Sequence, residues 1–232
     1  MENLAAVAEL NKQKQFVIFA PNHVSPNSKI RENLALAEDF PKLKELLQQY
    51  GLDSRVVFRG DGDIEVGKSR IMKMIYETHR KIFSALGRAV SGGIPLAINA
   101  KEPELAMRRN IPSIKEILKT TKKKNLTIYP YGNWFKSREQ KYDEQPADTG
   151  FVPMKEFEKW RTSLKSGFVR IAKLTKAPIM PIYVDNTDGI WRFTFGELIW
   201  VDKKESNEEV AQRYLDQMKA GMNKGLLPEH KQ

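Results

Sequence analysis

Two stretches of this chain hold side chains whose types and spacing could do chemistry. The first is Asn22-His23-Val24-Ser25-Pro26-Asn27-Ser28, directly after an apolar run that ends at Ala20. An imidazole can take up and return a proton near neutral pH, although a histidine at a strand end is often only a satisfied structural group. The second is Gly62-Asp63-Ile64-Glu65-Val66-Gly67-Lys68-Ser69, which fits the phosphate-loop pattern G-x-x-x-x-G-K-[ST]. Such a loop holds phosphate with backbone N–H groups gathered against a helix N-terminus. Asp63 and Glu65 would put two carboxylates in that cradle, a like-charge placement that weakens the nucleotide-binding reading. Tyr183-Val184-Asp185 and Trp200-Val201-Asp202 are the apolar runs ending in aspartate that could complete it.

The elements that must position these groups come from a chain of 232 residues, 41% hydrophobic and 29% charged, long enough to bury a real core. It has no cysteine, which excludes disulfides, thiolate catalysis and cysteine-based zinc sites. His79 and His230 share no ligand spacing with His23, so no metal is expected. A G-x-S-x-G elbow is also lacking, which argues against a serine hydrolase. The net charge of +10 favours anionic partners: lipid surfaces, phosphorylated small molecules or nucleic acid. Nucleic acid is the least favoured, because the aromatic residues sit in apolar patterns rather than interleaved with basic ones. Met1-Glu2-Asn3-Leu4 does not open a signal peptide, and no run approaches the roughly 20 apolar residues of a membrane span. The expected location is cytoplasmic, with peripheral attachment to the cytoplasmic membrane face as the alternative.

Strand-like runs alternate with helical patterns, which predicts an α/β fold, a single domain over 1–232 with a mainly parallel sheet flanked by helices. Helices are expected at Glu2–Asn11 and at Pro41–Tyr50, where Phe40, Leu43, Leu46, Leu47 and Tyr50 share a face. A long helix is expected at Ser69–Leu86, with Ile71, Ile75, Ile82 and Leu86 on one stripe. Another should start after Pro112, with Ser113 and Glu116 at capping-box spacing. Met154–Lys176 and Ser206–Lys224 complete the helices, the last with Val210, Tyr214, Met218 and Met222 as its core stripe. Strands are expected at Gln15–Ala20, Arg55–Arg59, Ile94–Asn99, Leu126–Pro130 and Ile179–Val184, with a short pair in Ile190–Val201. Pro181 predicts an edge or a bulge for its strand.

In this order the blocks resemble the phospholipid/glycerol acyltransferase family, of the lysophosphatidic acid acyltransferase type. Its first motif, N-H-x-S-x-x-D, is matched by Asn22, His23 and Ser25, with Ser28 at the aspartate position. Gly92-Gly93-Ile94-Pro95-Leu96-Ala97-Ile98-Asn99 is similar to the G-x-I-P strand, with Asn99 near the place of the phosphate-binding arginine. Tyr129-Pro130-Tyr131-Gly132-Asn133-Trp134 is similar to F-P-E-G-T-R, with Tyr131 for the glutamate and Trp134 for the arginine. Ser166–Ala172 followed by Ala177-Pro178-Ile179-Met180-Pro181-Ile182 matches the fourth block.

The resemblance implies transfer of an acyl chain from a coenzyme A or acyl carrier protein thioester to a hydroxyl of a lysophospholipid-like acceptor. His23 would be the general base, with Ser28 or Asn27 as an uncharged group orienting it. The thioester would be a co-substrate, with no resident cofactor. Asn99, Lys101, Tyr131, Gly132, Trp134, Lys136 and Arg138 would contact substrate, the three basic residues restoring charge lost at Asn99 and Trp134. Losing the aspartate, the glutamate and both arginines also fits a catalytically weak or inactive homologue that binds lipid or acyl-coenzyme A.

Overall fold

The computed structural model describes residues 2–22, 35–59, 70–96, 103–130, 167–185 and 190–225. Helix α1 (Glu2–Lys12) leads into β1 (Ile18–Pro21), followed by α2 (Ala35–Gln49), β2 (Ser54–Arg59), α3 (Arg70–Ser91) and β3 (Ile94–Leu96). Then come α4 (Pro103–Thr120), β4 (Asn125–Ile128), α5 (Gly167–Thr175), β5 (Ile179–Asp185), β6 (Arg192–Phe195) and α6 (Asn207–Gly225). The strands form one sheet in the order β3-β2-β4-β1-β5-β6. Every neighbouring pair is parallel except β5–β6. The protein is therefore an α/β fold with a mostly parallel mixed sheet flanked by helices.

Every residue of β1 and of β4 is buried, as expected of parallel strands covered on both faces. On one face Leu4 and Val7 of α1 and Leu43 and Leu47 of α2 pack with Val17, Phe19, Met180 and Ile182. On the other, Ile117 of α4, Phe168, Val169 and Ala172 of α5, and Val210, Tyr214 and Met218 of α6 cover Ile18, Leu126 and Tyr183. The core stripe expected of α6 is thus seen for its first three residues; the Met222 side chain lies outside those described. Helix α3 belongs to the first face, where Gly87 is small enough to admit the Phe58 ring.

Four helices hand over to strands through residues in the left-handed region: Lys14 (φ 60°), Gly51 (φ 68°), Gly92 (φ 64°) and Lys176 (φ 57°). At α1 and α2 the reversal is closed by Gln15 N–H on Leu10 O at 2.9 Å and Leu52 N–H on Leu47 O at 3.0 Å. Buried polar groups stitch the amino ends of the strands. The Asn125 amide accepts from Val17 N–H at 2.8 Å and donates to Asp53 O at 3.0 Å, so it ties β1 and β2 across β4.

Three expectations change. Helices α2 and α4 start earlier than predicted and contain Pro41 and Pro112 in their interiors, each at the loss of one internal hydrogen bond. Ser113 is therefore not an N-cap: its hydroxyl donates to Pro95 O at 2.5 Å and fastens α4 to β3. Pro181 sits in an internal strand, not an edge, because β5 lies between β1 and β6. The bulge is real, but it is on the facing chain. Ile182 pairs with Phe195 and Ile179 with Ile199, which leaves one more residue on that side than on β5.

Helices α3 and α4 are joined by a partly buried ion cluster. Arg88 donates to Glu116 at 2.8 Å, and Arg55 lies 2.7 Å from the other carboxylate oxygen while also donating to Gly92 O at 2.6 Å. The hydrogen bond from Arg88 is the largest cause holding the Glu116 carboxyl below its ordinary value. Partial burial opposes it, and the charges of Arg55 and Arg88 reinforce it. A carboxyl lowered in the folded state stabilises the fold above its unfolded value of 4.5, and that contribution disappears as pH falls through the lower folded value. Urea unfolding of wild type and Glu116→Gln should therefore differ near neutral pH, with wild type the more stable. The gap should close on acidification below about pH 4.5.

Candidate functional site

All five parallel strands point their carboxyl ends at the same edge of the sheet, and the stretches that could do chemistry follow those ends. The chain leaves β1 for His23, Asn27 and Ser28, and leaves β2 for Gly62–Ser69. It leaves β3 for Asn99 and Lys101, and β4 for Tyr131, Gly132, Trp134, Lys136 and Arg138. All of these residues lie outside the described ones, so what the structure supplies is their points of departure. β1 and β4 are immediate neighbours in the sheet. The chain next packs as α2 on one face after β1 and as α5 on the other face after β4. Where successive connections part to opposite faces of an open α/β sheet, the strand ends are left uncovered, and ligands bind there.

The geometry at the end of β1 is built around Asn22, which is only 2% exposed. Its backbone N–H donates to Ile182 O at 3.3 Å, the last main-chain rung of the β1–β5 ladder among the described residues. The next rung is made by its side chain. Asn22 Oδ1 accepts from Val184 N–H at 2.7 Å, and Nδ2 donates to Val184 O at 2.9 Å. In a regular parallel ladder the Val184 N–H would bond the backbone carbonyl of Asn22. With the amide side chain in that place, Val184 of β5 keeps a partner for both its N–H and its C=O. The amide carries its donor and its acceptor on two separate atoms, so it serves both backbone groups of Val184 at once.

A second tie comes from the far end of the sequence. The Tyr214 hydroxyl on α6 donates to Ala20 O at 3.1 Å, inside the core, and its ring lies against Phe168 with centroids 5.0 Å apart. Thus α6 and β5 both anchor the last residues before the histidine. Sequence reasoning saw Asn22 as a motif match and Tyr214 as a core residue, and missed what their polar atoms do. A polar residue at the end of an otherwise apolar strand, and a tyrosine in a stripe of methionine and valine, were the available signals.

Asp185 closes β5 at this same edge, so its backbone lies on the side from which His23 departs. The pairing of the glycine-rich stretch with either aspartate is less well served. β4 and β1 stand between β2 and β5, a separation of three strand spacings or about 14 Å. Trp200-Val201-Asp202 follows the Ile199 bridge to the first residue of β5, at the amino edge of the sheet. There Asp202 accepts from Lys204 N–H at 2.8 Å in a turn ahead of α6.

Comparison of the chain with family models, curated proteins and solved structures finds no match. Function therefore rests on the residues and on this edge. No described helix is long and apolar enough to cross a membrane.

Removing the Asn22 amide leaves the Val184 N–H and C=O unpaired in a dry site, so Asn22→Leu should lower unfolding free energy by about 2–4 kcal/mol. Tyr214→Phe, which strips one hydrogen bond and keeps the ring, should cost about 1–2 kcal/mol. Urea denaturation checks both, and equal stability of wild type and Asn22→Leu would remove the clamp from the account.

Proposed function

We propose that the protein transfers an acyl chain from a thioester of coenzyme A or acyl carrier protein to the hydroxyl of a lysophospholipid-like acceptor, with His23 as general base. The observation that carries this is the shared edge. The blocks containing His23 and Tyr131-Gly132-Asn133-Trp134 follow adjacent parallel strands, β1 and β4, at the point where the connections part. The fourth block forms α5 and the start of β5, the strand that the Asn22 amide holds. The spacing of the motifs along the chain thus corresponds to strands that end together.

In the proposed reaction the acceptor hydroxyl gives its proton to the His23 imidazole as its oxygen attacks the thioester carbonyl carbon. The tetrahedral adduct then expels the thiolate, which takes the proton back from the imidazolium, leaving an ester and a free thiol. Ser28 or Asn27 would orient the ring through a neutral hydrogen bond. Asp185, at the end of β5, is a carboxylate-bearing position on the same edge. Asn99, Lys101, Lys136 and Arg138 would meet the phosphate of donor or acceptor, and Tyr131, Gly132 and Trp134 would line the acyl chain.

Binding of lipid or acyl-coenzyme A without turnover is the second reading. It is favoured by the uncharged residues Ser28, Tyr131 and Trp134 at places where the family carries charge. A nucleotide-binding site at Gly62–Ser69 is disfavoured by the about 14 Å between β2 and β5 and by the place of Asp202 at the opposite edge.

Thiol release from acyl-coenzyme A in the presence of lysophosphatidic acid or a neutral lysolipid checks the proposal. His23→Ala should slow it roughly 10²- to 10⁴-fold with unchanged circular dichroism. Equal rates for the two proteins would overturn acyl transfer. Tight donor binding by both would then select the second reading.

A further inference from the structure

Helix α3 carries an unusual outer face. Ile71 (66% exposed), Met74 (64%), Ile75 (45%), Ile82 (56%) and Leu86 (60%) form the stripe expected from sequence, and it points to solvent. Thr78, Ala85 and Ala89 continue it, also exposed, and Lys81 is the one charged residue set into it. The opposite side of the helix is the packed one, where Gly87 meets Phe58 of β2. Single exposed apolar residues need no explanation, but five large ones aligned over four turns of one helix do.

We infer that this face of α3 is a docking surface for an anionic lipid bilayer, on which the helix lies parallel to the membrane plane. Charge complementarity identifies the occupant. The chain carries a net charge of +10, and the charged residue set into the stripe is a lysine, Lys81. An apolar face with a cation set into it, on a strongly basic chain, fits interfacial helices, which sink their apolar side chains among acyl chains while cations meet lipid phosphates.

A second copy of the chain is a poorer occupant on two counts. Symmetric contact through α3 would bring together two chains of net charge +10, with Lys81 of each in the contact. The stripe from Ile71 to Leu86 is also about 23 Å long and about 10 Å wide, a few hundred Å2 against the roughly 800 Å2 per partner of a stable interface. The helix runs from the carboxyl edge of the sheet, where it follows β2, back to the start of β3. Its first turns, with Ile71, Met74 and Ile75, therefore sit nearest the edge proposed for acyl transfer. The inference extends the lipid side of that proposal without using its chemistry, since binding is measured with no thioester present.

Cosedimentation with vesicles is the test, using phosphatidylcholine alone and phosphatidylcholine with about a quarter phosphatidylserine. The wild-type chain should bind the phosphatidylserine vesicles and lose binding as salt is raised, with little binding to phosphatidylcholine alone. Ile82→Asp/Leu86→Asp should weaken binding at least about tenfold, and Lys81→Glu about fivefold, both at exposed positions where folding is unaffected. Equal binding by wild type and the double variant, or no binding by wild type, would overturn the inference. So would a wild-type dimer in sedimentation velocity that the double variant abolishes, which would assign the face to a second copy. A chain that binds vesicles but leaves thioesters intact would keep the membrane inference and discard acyl transfer.

Discussion

The two hydrogen bonds between the Asn22 amide and the backbone of Val184 are the constraint on which the candidate site depends. β1 lies between β4 and β5 and is buried on both faces, so its backbone groups must find partners within the protein. A strand in that position would ordinarily continue its ladder as far as its neighbour does. β5 runs on to Asp185, and among the described residues the main chain of β1 makes its last bond to β5 at Asn22. The amide supplies β5 with both a donor and an acceptor. The strand that leads to the histidine is thereby held up to its last described residue, Asn22. A functional group is best held by such an arrangement, on an element fixed by packing rather than on a loop alone.

The opposite end of the sheet uses the same chemistry for another purpose. Asn125 joins Val17 and Asp53 at the amino ends, where the chain has only to be closed. One asparagine thus ends the sheet where helices hand over to strands, and the other ends it where strands hand over to the candidate site. Tyr214 adds a contact from α6 to Ala20, so the last helix of the fold contributes to the position of the first strand. The strand end that leads to His23 is early in the chain, and its position is completed only when β5 and α6 have docked.

Much of the fold was legible because its strands are short apolar runs between helical patterns, and parallel strands covered on both faces read that way. Where reading failed, a local rule was overridden by packing. Pro112 looked like a helix start, yet α4 tolerates it because Ser113 and Ile117 hold that region against the sheet. Pro181 looked like an edge, yet the extra residue lies on the facing chain. The stripe of α3 was visible as a period, but a period does not say which face turns inward, and here Gly87 took the sheet. The candidate site was legible as motif order and residue type. The side-chain bonds of Asn22 and Tyr214 were not, because they join positions more than 160 residues apart.

The most direct test of the central claim is where an acyl thioester meets the sheet. Backbone and side-chain amide chemical shifts should be followed by NMR while acyl-coenzyme A is titrated into the protein. Shifts are expected at the carboxyl edge: the Asn22 side-chain amide, Val184, Asp185 and Tyr129 just past β4. The amino edge, with Val17, Asp53, Lys124 and Asn125, should stay unchanged. Shifts concentrated at the amino edge, or none at saturating donor, would contradict the account.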